Sequence, residues 1–172
     1  YRTCSKSKTN DRYNYIKKII MYKHFLKRLL DIVFSLLVFP LFGLILIPVA
    51  IAIKLDDGGP VFYKSARVGK GFQKFNMLKF RSMKVNDEAD SKQATADDPR
   101  KTRFGDFLRR SNIDELPQFI NVFKGEMSIV GPRPHMLSHT EIYARLIDKY
   151  MVRHFIKPGV TGWAQIHGFR GE

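Results

Sequence analysis

Asp114 and Glu115 stand side by side in Asn112-Ile113-Asp114-Glu115-Leu116-Pro117-Gln118, and Gly131-Pro132-Arg133-Pro134 follows. Acids and arginines in this pattern suit phosphate chemistry. One carboxylate can attack phosphorus, its neighbour can help hold a divalent cation, and guanidinium groups disperse the charge that builds on the phosphoryl oxygens. Arg109, Arg110 and Arg133 are the arginines at hand. Arg133 lies between two prolines, so its backbone loses little freedom when the side chain grips a phosphate through two parallel bonds. Lys79 and Arg81, two residues apart, share one face of an extended segment and are further phosphate-binding candidates. Each feature also has an ordinary explanation. The two acids could cap a helix, the proline-framed arginine could belong to a tight turn, and the two cations could be an exposed strand pair.

These residues need elements to hold them. The apolar residues Phe104, Phe107 and Leu108 predict a helix over Arg103 to Ser111, with Arg109 and Arg110 near its end, where cations oppose the negative pole of the helix dipole. A second helix is expected from Pro117, whose missing N–H is harmless at a first helical position, to Gly125. Asp114 and Glu115 would then sit at a helix entrance that favours anions. Upstream, Asp56-Asp57-Gly58-Gly59-Pro60 reads as a turn, and Val61-Phe62-Tyr63 and Phe72 to Leu78 read as short strands around the loop Arg67 to Gly71. Lys84 to Thr102 reads as a polar loop with one short helical turn after Asn86. Its acids, Asp87, Glu88, Asp90, Asp97 and Asp98, match no metal-ligand spacing and are expected to be solvated. Leu137 to Tyr150 reads as an amphipathic helix, and His135, His139 and His154 around it match no common metal motif and suit surface or packing roles better than catalysis.

The first third of the chain points to a membrane. Residues 1–28 form a basic juxtamembrane linker, with Arg2, Lys6, Lys8, Arg12, Lys17, Lys18, Lys23, Lys27 and Arg28 opposed by Asp11. From Tyr15 the apolar residues recur at roughly helical spacing, as in a helix lying on a headgroup layer; a solvated charged linker is the alternative. Ile32 to Ile53 carries no charge and would extend about 33 Å as an unbroken helix. Pro40 interrupts it by removing a backbone hydrogen bond and crowding the carbonyl of Leu36. A break there leaves Leu29 to Phe39, roughly 16 Å of helix against a hydrocarbon core of about 30 Å. Both flanks are basic, whereas a spanning helix concentrates its cations on one side. The segment 29–55 is therefore expected to enter, turn at Pro40 with a kinked backbone that Ser35 or packed neighbours help satisfy, and leave on the same face. A kinked spanning helix and a buried core helix are the alternatives.

With 172 residues, 44% hydrophobic, the chain can bury one sizeable core, and residues 56–172 are expected to form the cytoplasmic catalytic domain. A formal charge of +14 favours phosphates or an anionic membrane as partners. Cys4 is the only cysteine, which excludes an internal disulfide and a multi-cysteine zinc site and suits a reducing compartment. The chain opens on Tyr1 rather than Met, so a piece of a longer protein is expected. The fold class expected is α+β: a re-entrant membrane helix, interfacial helices and a small strand-containing domain.

Four segments in order, Lys79-Phe80-Arg81-Ser82-Met83, Asp114-Glu115-Leu116-Pro117-Gln118, Ile129-Val130-Gly131-Pro132-Arg133-Pro134 and Lys157-Pro158-Gly159-Val160-Thr161-Gly162-Trp163-Ala164-Gln165, resemble the signatures of the bacterial sugar transferases, the monotopic phosphoglycosyl transferases. The resemblance covers about residues 24 to 172. It implies transfer of a sugar-1-phosphate from a UDP-sugar donor to undecaprenyl phosphate at the bacterial inner membrane, through a phosphosugar covalently held on Asp114, with release of UMP. It implies Mg2+ as cofactor, held by Glu115 with Asp114, and phosphate contacts from Arg109 and Arg133, with Arg67, Lys79 and Arg81 as weaker candidates. A re-entrant helix broken at the position of Pro40 is implied as well. The wording of Glu88 to Thr95 and Tyr150 to His154 is similar to the hexose-1-phosphate branch that starts capsule and exopolysaccharide repeats. Trp163 and Gln165 could frame the nucleotide, since an aromatic face stacks on a base, or could anchor the C-terminal segment.

Two rival classes share these features. A metal-dependent phosphatase or phosphodiesterase would use the same acids and arginines on water. A membrane-anchored binder of anionic lipid or nucleic acid would explain the charge, but the chain has no nucleic-acid motif, so no nucleic-acid partner is expected. A homo-oligomer is compatible with the sequence.

Overall fold

The computed structural model describes residues 3–85, 95 and 98–169, with the backbone alone described for 3–24. The helical turn expected after Asn86, the acids Asp87, Glu88, Asp90 and Asp97, and the side-chain faces of the basic linker lie outside the described residues; Asp98, expected to be solvated, is buried and paired with Arg100 at 2.6 Å. Helix α1 runs over Thr3–Asp57 and carries both Pro40 and Pro48 inside it. The expected break at Pro40 is therefore not a break in the helical backbone: a proline removes one N–H, and the turns on either side carry the helix through. Ser35 does not serve the carbonyl freed by Pro40. Its buried hydroxyl donates to Asp31 O, one turn back, at 2.7 Å.

Strands β1 (Phe62–Val68) and β2 (Lys74–Phe80) form an antiparallel hairpin in which Phe62 pairs with Phe80 and Val68 with Lys74. β1 is longer than its sequence signal and takes in Arg67, expected in a loop, while β2 has the expected length but starts and ends two residues later. Helix α2 (Arg103–Arg110) starts where Thr102 accepts a hydrogen bond from Gly105 N at 2.9 Å, a side-chain N-cap. A single 3₁₀ turn over Ile113–Glu115 leads into α3 (Gln118–Lys124), which ends at Gly125 with φ 88°. Strand β3 (Ser128–Val130) pairs in parallel with β4 (Gly159–Thr161), Ser128 opposite Gly159 and Val130 opposite Thr161. Between them lie α4 (Leu137–Leu146) and a 3₁₀ segment, Tyr150–Phe155; a short α5 (Trp163–Ile166) follows β4.

Helix α1 belongs to the core of the domain that follows it. Val49 and Ile53 are buried with Phe80 and Leu108, and Phe42, Ile45 and Leu46 pack against the same cluster. The end of α1 is thus packed against the residues that follow the turn at 56–60. The other end of the apolar stretch is held by polar contacts. Arg28 donates to Val122 O and Phe123 O, both at 2.6 Å, at the carbonyl end of α3. Buried Asp31 accepts from Ser128 Oγ and Ile129 N, both at 3.0 Å. The face turned away from the domain is apolar and open: Leu37, Leu44, Ile47 and Leu55 are 69%, 76%, 66% and 83% exposed. Phe25–Asp57 is long and apolar enough to cross a membrane. Water would penalise so continuous an apolar face; a bilayer would not.

Candidate active site

The site forms where β2, the 3₁₀ turn, the loop after β3 and the β4–α5 segment converge. Phe80 faces the core, so Lys79, its neighbour on the strand, faces the opposite way. Its Nζ lies 2.7 Å from Glu115 Oε1 and 3.8 Å from Asp114 Oδ2. The two acids are delivered by a tight reversal after α2, in which Asn112 adopts left-handed angles, φ 55° and ψ 16°. Asparagine is among the few side chains that take this conformation readily. From the far wall, Arg133 Nη2 comes to 3.6 Å from Glu115 Oε1. Glu115 therefore sits between two cations, and Asp114 lies behind it.

Asp114 is the most enclosed member, 6% exposed. Burial holds its carboxyl above the usual carboxylate range, because it has been taken out of water; Lys79 pulls the other way, Glu115 adds to the rise, and Arg109 and Arg133 oppose it. Helix α3 begins at Pro117 with no side-chain cap, so neither acid is its cap. The acids instead face a cavity of about 300 Å³ whose polar wall is Lys79, Arg109, Asp114, Glu115 and Arg133, and whose apolar wall includes Leu116, Phe119, Val160 and Ile166. Anionic groups would meet the first wall, and a less polar part of a ligand the second.

Six of the residues singled out in the sequence thus meet at one cavity: Lys79, Arg109, Asp114, Glu115, Arg133 and Gln165. Gln165 is fixed there by its Nε2, which donates to Val160 O at 3.1 Å. The others lie elsewhere. Arg81 is buried in an ion pair with Asp57 at the end of α1, and a Cβ on Gly59 would stand 2.0 Å from its Nη1, so the turn before β1 wraps its guanidinium. Arg67 bridges through its backbone to Met136. Arg110 pairs with Asp106 at 2.8 Å on the exposed side of α2. Trp163 is 78% exposed and packs its ring on His167, 4.4 Å between centroids. Asn112, Phe119 and Thr161 line the cavity without having been singled out. Asn112 carried a local signal, as a residue tolerant of left-handed angles after a helix, and Thr161 lies within the Lys157 to Gln165 signature segment.

Among the described residues no group of three or more His, Cys, Asp or Glu gathers to hold a metal. Two carboxylates at a cation-lined cavity nevertheless fit Mg2+, which is bound through one or two carboxylates together with substrate phosphates and water rather than by an all-protein cage.

The profile of the family described as bacterial sugar transferase matches residues 22–172. The chain is 54% identical over 149 residues, 86% of its length and 32% of the other protein, to the UDP-glucose:undecaprenyl-phosphate glucose-1-phosphate transferase of Escherichia coli (strain K12). It is 45% identical over 150 residues, 86% of its length and 36% of the relative, to the UDP-N-acetylgalactosamine-undecaprenyl-phosphate N-acetylgalactosaminephosphotransferase of Aeromonas hydrophila. An exopolysaccharide production protein of Rhizobium leguminosarum bv. phaseoli is 45% identical over 151 residues, 85% of this chain and 76% of that protein. The chain spans about a third of the length of the glucose- and N-acetylgalactosamine-transferring relatives.

Proposed function

Because the chain belongs to the bacterial sugar transferase family, we propose that it moves a hexose-1-phosphate from a UDP-sugar onto undecaprenyl phosphate, as the first membrane step of a polysaccharide. The observation that carries this is Asp114, enclosed at the back of a cavity whose polar wall holds three cations and a second acid. An Oδ of Asp114 attacks the phosphorus next to the sugar. The new O–P bond forms as the bond to the bridging phosphate oxygen breaks, and UMP leaves with that oxygen. A phosphate oxygen of undecaprenyl phosphate then attacks the same phosphorus, and Asp114 departs as a free carboxylate. Lys79, Arg109 and Arg133 take up charge on the phosphoryl oxygens. Glu115 with Asp114 would hold Mg2+, which when bound neutralises charge on the donor diphosphate. Water attack in place of the lipid would make the protein a phosphatase; the names of its relatives favour transfer.

Purified protein with Mg2+, undecaprenyl phosphate and either UDP-glucose or UDP-N-acetylgalactosamine is expected to release UMP and form a lipid-linked sugar diphosphate. Without the lipid, release should stop at about one UMP per protein; continued turnover in its absence would point to hydrolysis, and no release with either donor would contradict the proposal.

The same proposal places the domain on the cytoplasmic face, with α1 entering and leaving the bilayer on one side. What supports it is that one domain grips both ends of the apolar stretch, through Arg28 and Asp31 at its start and Val49 and Ile53 near its end. A straight crossing would put those grips on opposite sides of a hydrocarbon layer about 30 Å thick. In a Cys4→Ser protein, labels at Lys23→Cys and Lys70→Cys are expected to react from the same side of sealed vesicles. Reaction from opposite sides would end the re-entrant path.

A further inference from the structure

We propose that Arg153 is a positioning residue for Arg133, holding the Gly-Pro-Arg-Pro loop at the distance from which Arg133 reaches the cavity. The inference rests on the role of Arg133 at the donor phosphates proposed above. It starts from what two prolines leave undone. Pro132 and Pro134 fix their own φ and offer no N–H, so the loop is pinned through the groups that remain. Gly131 N donates to Thr161 O at 2.9 Å, and Pro132 O accepts from Gly159 N at 3.0 Å. The next carbonyl, that of Arg133 itself, accepts from Arg153 Nη2. This bond decides which way the Arg133–Pro134 peptide faces, and so where the Arg133 side chain leaves the loop.

Arg153 is itself held by His135 and Tyr150, which also contact each other. Its Nη1 lies 3.1 Å from His135 Nδ1, its guanidinium sits 4.9 Å over the centre of the Tyr150 ring, and the Tyr150 hydroxyl lies 2.6 Å from the same His135 nitrogen. The same Nη1 lies 3.3 Å from His135 Nε2, so the guanidinium sits across both ring nitrogens. The His135 pKa is pushed down to about 4, by burial first and then by Arg153, His139, Arg133 and Arg67, which favours the neutral ring beside Arg153. Sequence spacing hides this brace: His135 and Arg153 are separated by all of α4, and neither lines the cavity.

Lysine at 153 keeps the charge but lacks the planar fork that serves Arg133 O and His135 together. The test is a double-mutant cycle on the full chain, using turnover of the UDP-sugar. Arg153→Lys is expected to lower kcat/KM about tenfold, the scale of a displaced substrate-binding group, and to cost less than about twofold when Arg133→Lys is already present. An equal loss in both backgrounds, or no loss in a folded Arg153→Lys protein, would overturn the inference. If Arg153→Lys does not fold, Tyr150→Phe carries the same cycle. It removes one hydroxyl bond, and about a threefold loss is expected that disappears beside Arg133→Lys; a loss that persists there overturns the inference. Arg133→Lys alone tests the underlying role: normal turnover in that single variant removes Arg133 from the phosphate site, whereas impaired turnover with an additive cycle removes only the brace.

Discussion

Asp114→Asn is expected to abolish UMP release, by at least about 10³-fold, because an amide cannot form the bond to phosphorus that the carboxylate forms. Glu115→Gln should slow the reaction by about 10–100-fold and raise the Mg2+ concentration needed, the behaviour of a group that ligates rather than reacts. Stability separates this account from a structural role for the acids. The Asp114 carboxyl is held above its ordinary range by burial, so its ionised form costs folding free energy at neutral pH, and the neutral amide removes that cost. Asp114→Asn should therefore melt no lower than the parent. A helix cap would show the reverse, unchanged turnover with a loss of about 0.5–2 kcal/mol.

Lys79→Met has the second largest expected effect. It removes the cation 2.7 Å from Glu115 and 3.8 Å from Asp114, and turnover should fall by about 10²–10³-fold, as when a preorganised charge-stabilising donor is lost. The pH profile should move in a defined direction. Asp114 must be ionised to attack, and Lys79 is the strongest influence opposing the rise of its pKa. Without Lys79 the carboxyl rises further, so the acid limb of kcat/KM shifts to higher pH. An acid limb that stays in place while turnover falls would mean that Lys79 acts on the substrate alone.

The gathering of the candidate site was legible where a few residues carry their own meaning. Adjacent acids before Pro117 and an arginine between prolines mark the site whatever surrounds them, and the structure brings them to one cavity. Helix α2 was legible because local rules set it: Thr102 caps it, and Leu108 is fully buried. Its apolar residues divide, however, for Phe107 is 56% exposed. In the sequence Pro40 marks a helix break because its local cost is plain; continuity of α1 depends on what packs around it, and Phe39 and Phe42 on either side rest on Phe123 and Phe80. Strands β3 and β4 escaped notice because each has three residues and finds its partner only across α4. Arg81 was grouped with Lys79 by spacing, yet Asp57 at the end of α1 captures it, a contact that only the tertiary fold creates. Trp163 and Gln165 were paired likewise, but on the single turn of α5 residues two apart point in different directions, so Gln165 is buried at the cavity while Trp163 faces outward.

The central claim is that Asp114 carries the sugar phosphate between donor and lipid. Intact-mass measurement of protein quenched after incubation with UDP-sugar and Mg2+, without undecaprenyl phosphate, tests it most directly, followed by mapping of the modified peptide. The expected added mass is that of one sugar-1-phosphate less one water, located on the peptide containing Asp114, lost on addition of undecaprenyl phosphate and absent from Asp114→Asn. An adduct on another residue, one that persists in Asp114→Asn, or lipid-linked product formed at full rate by Asp114→Asn would contradict it.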